Sequence, residues 1–380
     1  MRTLRRYLWR EIAAATVFVL FALMALFAFF ELVNQLEEIG QAGYQLPQVF
    51  IYVLLLLPTR VYELMPIAAL IGTIYALSKL AANSEFTIMR VSGMSTRRLA
   101  NVVLGAGLVL VGLTYAIGEL VAPASEQLAR RSKLTAIGIP LAQQFRSGVW
   151  VRDAVKNHLG QIERLRFINV ARVLPDSSAE GWRVYEFDRN YRLRSFSTAD
   201  SGRYFEDGGT QGWLLKDVVE TRIPVVATAD AATTPARTEI VKEATRVWQS
   251  ELKPDIFGVM LVQPERMAAV NLMQYIRHLA DNRQQTDRYE IALWSKLFYP
   301  IAVLVMMVLA LPFAYLHVRA GSVSLKIFTG VMIGVLFYAL NKLFAHLGLL
   351  NTWPPPVVAA LPSLVVLGFA LGALYWIERR

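Results

Sequence analysis

The side chains that most often do chemistry are sparse in these 380 residues and poorly spaced for it. Four histidines stand far apart at 158, 278, 317 and 346, and there is no cysteine. No His-Glu-x-x-His pair puts two imidazoles on one helix face, so no metal site is expected. The Gly-x4-Gly-Lys-Ser/Thr loop, whose backbone amides cradle nucleotide phosphates, does not occur, and neither does Gly-x-Ser-x-Gly. The chain is therefore expected to be no enzyme and to hold no cofactor of its own. Without disulfides, any external domain must take its stability from its core.

A few polar and ionisable residues sit in apolar surroundings. Arg60 and Glu63 interrupt a long hydrophobic run, Lys296 precedes Pro300, and Asn341 and Lys342 fall near the end of another run. Ionisable residues at such depth are functional candidates by default. Spacing gives each a plainer reading: Arg60 pairs with Glu63 one turn away, while Lys296 and Lys342 snorkel to the interface.

Those runs define the elements. Hydrophobic residues make up 55% of the chain and mean hydropathy is positive, which marks an integral membrane protein. Stretches near the 20 apolar residues a span needs are 12–30, 49–77, 99–117, 297–316, 325–344 and 357–376. The plan is six transmembrane helices, three before and three after a large insert. The second run is too long for one straight crossing, so 49–57 is expected to lie near an interface, with Pro58 and Pro66 bending the chain into the crossing at about 60–80. The apolar run at 12–30 is followed by no small-residue cleavage site and is kept as a mature helix.

Lys and Arg in the short loops give orientation. They occur in MRTLRRYLWR, in the loop after span two (Lys79, Arg90, Arg97, Arg98), between spans four and five (Arg319, Lys326) and at Arg379-Arg380. The other loops lack them, so both termini are expected in the cytoplasm and 124–290 outside. The net charge of +10 is accounted for by these flanks and the insert, and points to no nucleic acid.

The insert changes period. GVWVRD (148–153), 160–174, WRVYEFD (182–188), RLRSFST (192–198), 212–223 and 238–248 read as strands parted by PDSSAEG, FEDGGTQG and TADAATTP. An all-β domain of jelly-roll or sandwich type is expected over 124–265, with an amphipathic connector over 266–290. The membrane parts are then 1–123 and 291–380.

One polar stretch, NSEFTIMRVSGMSTRRL (83–99), separates spans two and three. Asn83 or Ser84 is expected to cap a short helix over 83–96, with Glu85 in its first turn. Phe86, Ile88 and Met89 are read as one apolar ridge and Arg90 points elsewhere. Gly93 ends the helix and Ser95 or Thr96 caps the next. From the pattern alone this is either a helix seated in a separate ATPase or one lying on lipid.

SEFTIMRVSGMS, GELVAPASEQLAR (118–130), GVWVRD, WQSELKPDIFGV (248–259) and YEIALWSKLFYPIAVLVMMVLALPF (289–313) closely resemble the lipopolysaccharide-export permeases of the LptF/LptG family. The likeness runs through nearly the whole chain and leans to the G type. It implies a permease subunit of an ABC transporter that extracts lipopolysaccharide from the outer leaflet of the bacterial inner membrane. The partners it implies are an LptF-like second subunit, a dimeric LptB-like ATPase that binds ATP and magnesium, a single-span LptC-like subunit and a periplasmic LptA-like jelly-roll bridge. It also implies that Ser84, Glu85, Phe86, Met89 and Arg90 contact the ATPase, and that spans one and five are lateral gates. Arg130, Arg131 and Lys133 would meet phosphorylated head groups, or instead pair with Glu119 and Glu126. Phe27, Phe30 and Phe337 would face acyl chains or lipid, and Lys342 is a further substrate candidate. Glu31, Glu37 and Glu38 stand where some family members are basic, so no role transfers to them; they pair with the Arg cluster, bind divalent cations carried by the substrate, or do neither. Two other classes remain: an ABC-type mechanotransmitter, and a membrane-anchored periplasmic sensor or assembly factor needing no ATPase.

Overall fold

The computed structural model describes residues 2–40, 44–137, 148–156, 162–174, 178–207, 210–224, 238–250, 263–282, 284–315, 323–351 and 353–379. Arg319, His158, His317 and the part of WQSELKPDIFGV beyond Ser250 lie outside these. The chain divides into two compact units: Met1–Lys133 with Pro264–Met273 and Thr286–Arg380, and Leu134–Gln263 with Gln274–Gln285.

In the first unit six helices are long and apolar enough to cross a membrane: Arg2–Leu36, Leu46–Ala82, Thr96–Lys133, Asp287–Tyr315, Ser324–Leu350 and Pro355–Trp376. Span one is α1 (Arg2–Leu36) and span two α2 (Leu46–Ala82). The helix α3 (Glu85–Val91) precedes α4 (Thr96–Ala116), which continues through a π-helical turn, Ile117–Val121, into α5 (Ala122–Ile137). After the insert, a 3-10 turn at Pro264–Arg266 leads to α6 (Ala269–Asp281). Span four is built from α7 (Asp287–Phe298), a 3-10 turn at Tyr299–Ile301, α8 (Ala302–Ala310) and α9 (Pro312–Tyr315). Spans five and six are α10 (Val323–Asn351) and α11 (Pro355–Glu378).

The second run is one continuous helix, and no separate helix ends at residue 57. The helix α2 runs unbroken for 37 residues with Pro58 and Pro66 inside it, a length of about 55 Å. Each proline removes one amide donor, and the helix continues through the loss of two ladder bonds, with Leu64 to Thr73 buried around Pro66. Spans two and four form the centre, with 78% and 61% of their apolar windows buried against 17–28% for the other four. Leu8, Ile12, Met65, Leu77, Leu80, Leu99, Val103, Val303 and Met307 make one core, and Leu70, Ile74, Val305, Met306 and Phe337 another.

Small residues set the closest approaches. A Cβ on Gly72 would lie 2.6 Å from the Thr16 backbone, so span one crosses span two there. Gly330 and Gly334 take Ile74 and Ile67 of span two against their backbone, as their spacing suggested. Gly368 and Gly372 have the same spacing but nothing within 4 Å, so that pair packs no helix of this chain among the described residues.

The second unit holds one six-stranded antiparallel sheet in sequence order: β1 (Val149–Lys156), β2 (Ile162–Val173), β3 (Ser178–Phe187), β4 (Leu193–Asp207), β5 (Thr210–Arg222) and β6 (Glu239–Gln249). Each expected strand segment is found. Pairing of β2 with β3 extends to Val173↔Ala179, so Ser178 to Gly181 are strand where the composition suggested turn. The sheet curls on itself. Trp182 on β3 meets Trp213 on β5 (centroids 4.9 Å) and Trp248 on β6 (5.8 Å), strands that share no ladder with it. Ser250 beyond β6 donates to Asp153 on β1 at 3.0 Å. Opposite halves thus face each other across an interior of Val149, Val151, Ile168, Val170, Val184, Leu215 and the three tryptophans.

Candidate functional site

The candidate site begins with the loop between spans two and three. Ser84 occupies the N-cap of α3 in the left-handed region (φ 61°), and its side chain caps nothing. Asn83 or Ser84 was expected to cap; Ser84 holds the N-cap position by its backbone alone. Glu85 is in the first turn, where a carboxylate meets the positive end of the helix. At the other end the Gly93 amide donates to the Arg90 carbonyl at 2.9 Å and the Met94 amide to Met89 at 3.0 Å, with Gly93 at φ 89°. This paired closure needs a left-handed residue, which glycine supplies without strain. The Ser95 hydroxyl then accepts from the Arg98 amide, capping α4.

The expected apolar ridge is divided between two faces. At about 100° per residue, Ile88 lies about 200° from Phe86 and Val91 the same from Met89. Phe86 and Met89 are buried in the membrane unit's core, whereas Ile88 is 65% and Val91 87% exposed. Glu85 accepts from the Tyr7 hydroxyl of span one at 2.9 Å. The Arg90 guanidinium lies over the Tyr315 ring of span four at 5.5 Å. Four of the five singled-out residues are therefore engaged within this chain, and its outward apolar side chains are Ile88 and Val91.

The other candidates fall into an ionic network at the far end of the same unit. Arg60 reaches Glu63 at 2.7 Å, as expected, and also Glu31 of span one at 3.4 Å, with its guanidinium over the Phe27 ring. Lys133 pairs with Glu38 at 2.7 Å, donates to Gln35 at 2.8 Å and lies over Tyr52 and Tyr44. Buried Glu126 accepts from Thr59 at 3.1 Å and pairs with Arg130 at 3.5 Å and with Arg266. Arg131 is exposed. Of the alternatives open to Glu31 and Glu38, the structure has them paired with cations of spans two and three.

Lys296 does not snorkel. It is buried, pairs with Glu119 at 3.5 Å and donates to the Met267 carbonyl. Glu119 lies in the π-helical turn and also accepts the Ala269 amide at 2.8 Å. The extra residue of a π turn leaves its carbonyl ladder locally open, and here the turn carries the carboxylate that receives the segment returning to the membrane. Lys342 is exposed with its ammonium 5.7 Å over the Tyr338 ring, and Asn341 donates to the Phe337 carbonyl. Phe27 and Phe30 are exposed on span one, while Phe337 is buried between spans two, four, five and six.

Sequence reasoning passed over Tyr7, Tyr315 and Arg266. The first two are amphipathic rings at the ends of apolar runs, a type enriched at membrane interfaces; that signal shows where such a ring sits but not whom it touches. Among the described residues no group of three or more His, Cys, Asp and Glu is arranged to hold a metal.

Residues 6–378 match the family model described as lipopolysaccharide export system permease LptF/LptG. The chain is 31% identical over 377 residues to the lipopolysaccharide export system permease protein LptG of Escherichia coli K12, covering 99% of this chain and 98% of that one. It is 30% identical over 382 residues to the protein of the same name from Haemophilus influenzae, covering 100% and 99%. A match over the full length, with six spans and a β domain inserted between the third and fourth, has one consequence: the chain belongs to the LptF/LptG family of lipopolysaccharide export permeases.

Proposed function

We propose that this chain is the G-type permease subunit of an ABC exporter that draws lipopolysaccharide from the outer leaflet of the inner membrane and passes it to a periplasmic β bridge. The observation that carries the reading is the helix Glu85–Val91, seated by Phe86 and Met89 and offering Ile88 and Val91 outward in a chain with no nucleotide-binding loop. Such a helix suits a groove in a separate dimeric ATPase of LptB type, which binds the ATP and magnesium; this chain holds no cofactor. Both termini are cytoplasmic and 124–290 periplasmic, an orientation supported by the arginines of the N-terminus and the basic loop after span two. An LptF-like subunit completes the permease, joined by a single-span LptC-like subunit and an LptA-like bridge.

The lipid enters between spans one and five of opposite subunits. Spans one and five, like span three, have 17% of their apolar windows buried, and Phe18, Phe21, Phe30, Phe328 and Leu336 are exposed along spans one and five. Phe27 and Phe30 face the acyl chains. Arg130, Arg131 and Lys133 meet the phosphates, with Lys342 at the opposite gate. Because Lys133 is already paired with Glu38 and Arg130 with Glu126, binding exchanges one anion for another and leaves no cation bare. ATP binding closes the partner dimer, α3 draws the spans together, and the lipid is forced upward.

Pull-down from detergent-solubilised membranes tests the reading, with wild type beside Glu85→Ala and Arg90→Ala. Wild type is expected to bring down an ATPase and bound lipopolysaccharide, and the variants to lose the ATPase or its lipid-stimulated activity. A wild-type chain with no copurifying ATPase, behaving like both variants, would overturn it in favour of a sensor or assembly factor.

A further inference from the structure

Two tyrosines that belong to neither span flanking the loop hold the helix Glu85–Val91. Tyr315 ends α9, the last described turn of span four. Its ring meets Phe86 with centroids 5.2 Å apart and planes at 87°, and the Arg90 guanidinium lies over it at 5.5 Å. Its hydroxyl donates to Thr96 Oγ1 at 3.0 Å, in the first turn of α4. On span one, the Tyr7 hydroxyl donates to Glu85 Oε2 at 2.9 Å, and Lys79 near the end of span two pairs with Glu11 at 3.1 Å, tying spans one and two together beside it.

A helix of seven residues cannot maintain itself or its direction, since isolated helices under about 12 residues are marginal in water. Both its ends are tight turns through left-handed residues, Ser84 and Gly93. Its orientation must therefore come from side-chain contacts. Phe86 and Met89 bury it, but smooth apolar packing alone lets a short helix rock. The Tyr315 ring is different: it holds Phe86 by edge geometry and Arg90 by charge, and its own hydroxyl is fixed to span three.

We propose that Tyr315, together with Tyr7, is a positioning residue that fixes the direction of this helix and ties it to spans four and one, so that a push on the Ile88 and Val91 face moves four spans as one body. The proposal rests on the reading of that face as the ATPase contact.

The test uses the intact complex with its copurifying ATPase, reconstituted in vesicles with lipopolysaccharide and a periplasmic acceptor. Tyr315→Phe keeps the ring and loses the Thr96 bond, whereas Tyr315→Leu removes the ring. Tyr315→Leu is expected to retain the ATPase and hydrolyse ATP within about twofold of wild type, while lipid transferred per ATP falls about tenfold, the size of a broken coupling contact. Tyr315→Phe is expected to restore most of that ratio. A merely structural role would reduce the yield of complex and leave the ratio unchanged. A wild-type ratio in Tyr315→Leu therefore overturns the proposal. Should that variant not assemble, a wild-type ratio in Tyr7→Phe, which removes one oxygen atom, overturns it equally. A wild-type chain with no ATPase would remove the functional reading and this inference with it; a coupled wild type beside an unimpaired variant removes the inference alone.

Discussion

Several side chains in this protein are held by charge. In the β domain Arg166 Nε and Arg164 Nη1 each lie 2.8 Å from Glu186, on the paired strands β2 and β3. Burial alone would raise the Glu186 carboxyl. The hydrogen bonds and charges of Arg166 and Arg164 outweigh it, holding the group below the ordinary carboxylate range. A group whose folded value is depressed contributes stability that is full above its unfolded value and is lost as pH falls through the folded one. Glu186→Gln should therefore weaken the domain by about 1–3 kcal/mol near neutrality, where a charge-assisted pair is broken. The gap to wild type should close as pH falls below 4.5, the ordinary glutamate value. Urea unfolding of the whole chain, followed through the near-ultraviolet signal of its buried tryptophans, reads the difference. A gap that stays constant down to pH 3 would mean that the ionised state of Glu186 contributes nothing. The same scale explains what spacing could not supply. Arg60 with Glu63 was legible because both lie on one helix face. The bonds from Arg60 to Glu31, Lys133 to Glu38 and Arg266 to Glu126 join residues 29 to 140 positions apart and exist only after helices cross.

At the scale of elements, periodicity carried most of the information. Six apolar runs became six spans, and six alternating segments became six strands, because each pattern reports which face is buried. It failed where the neighbours of an element decide. Pro58 and Pro66 lie inside one continuous helix, so they end no element in span two. One apolar ridge was read on α3 where the helix turn divides Phe86 and Met89 from Ile88 and Val91. Two Gly-x3-Gly pairs looked alike, yet only Gly330 and Gly334 meet another helix of this chain. Gly72 shows the energetic consequence. Its missing Cβ would stand 2.6 Å from the Thr16 backbone, which cannot move like a side-chain tip. Gly72→Ala should push spans one and two apart at a cost of about 1–3 kcal/mol. Gly372→Ala meets nothing within 4 Å, and should be neutral or stabilising by up to about 1 kcal/mol from helix propensity. Thermal melts of the detergent-solubilised chain separate the two. Equal effects would show that the crossing at Gly72 is not close-packed in solution.

For the whole molecule, the question is how the membrane unit seats a helix of seven residues and still leaves one face of it outward. The membrane unit answers by separating two requirements within α3. One face is core: Phe86 is 5% exposed and shares a cluster with Leu8, Leu80, Leu99 and Leu311, from spans one to four. The other face contributes nothing to that core, and Val91 is among the most exposed apolar side chains of the protein. In the proposed reading that outward face is the contact with the ATPase. The two faces should thus fail differently. Phe86→Ala empties a packed site and should lower stability by about 3–5 kcal/mol, melting the chain early whether or not a partner is present. Ile88→Ser with Val91→Ser touches no core and should change stability by no more than about 0.5 kcal/mol, yet should release the copurifying ATPase. Thermal melts and pull-down on the same preparations give both numbers. A double variant that melts with wild type and still retains the ATPase would place the contact elsewhere on the chain. One that melts with wild type and loses it would show that the fold and the coupling are carried by opposite sides of one seven-residue helix.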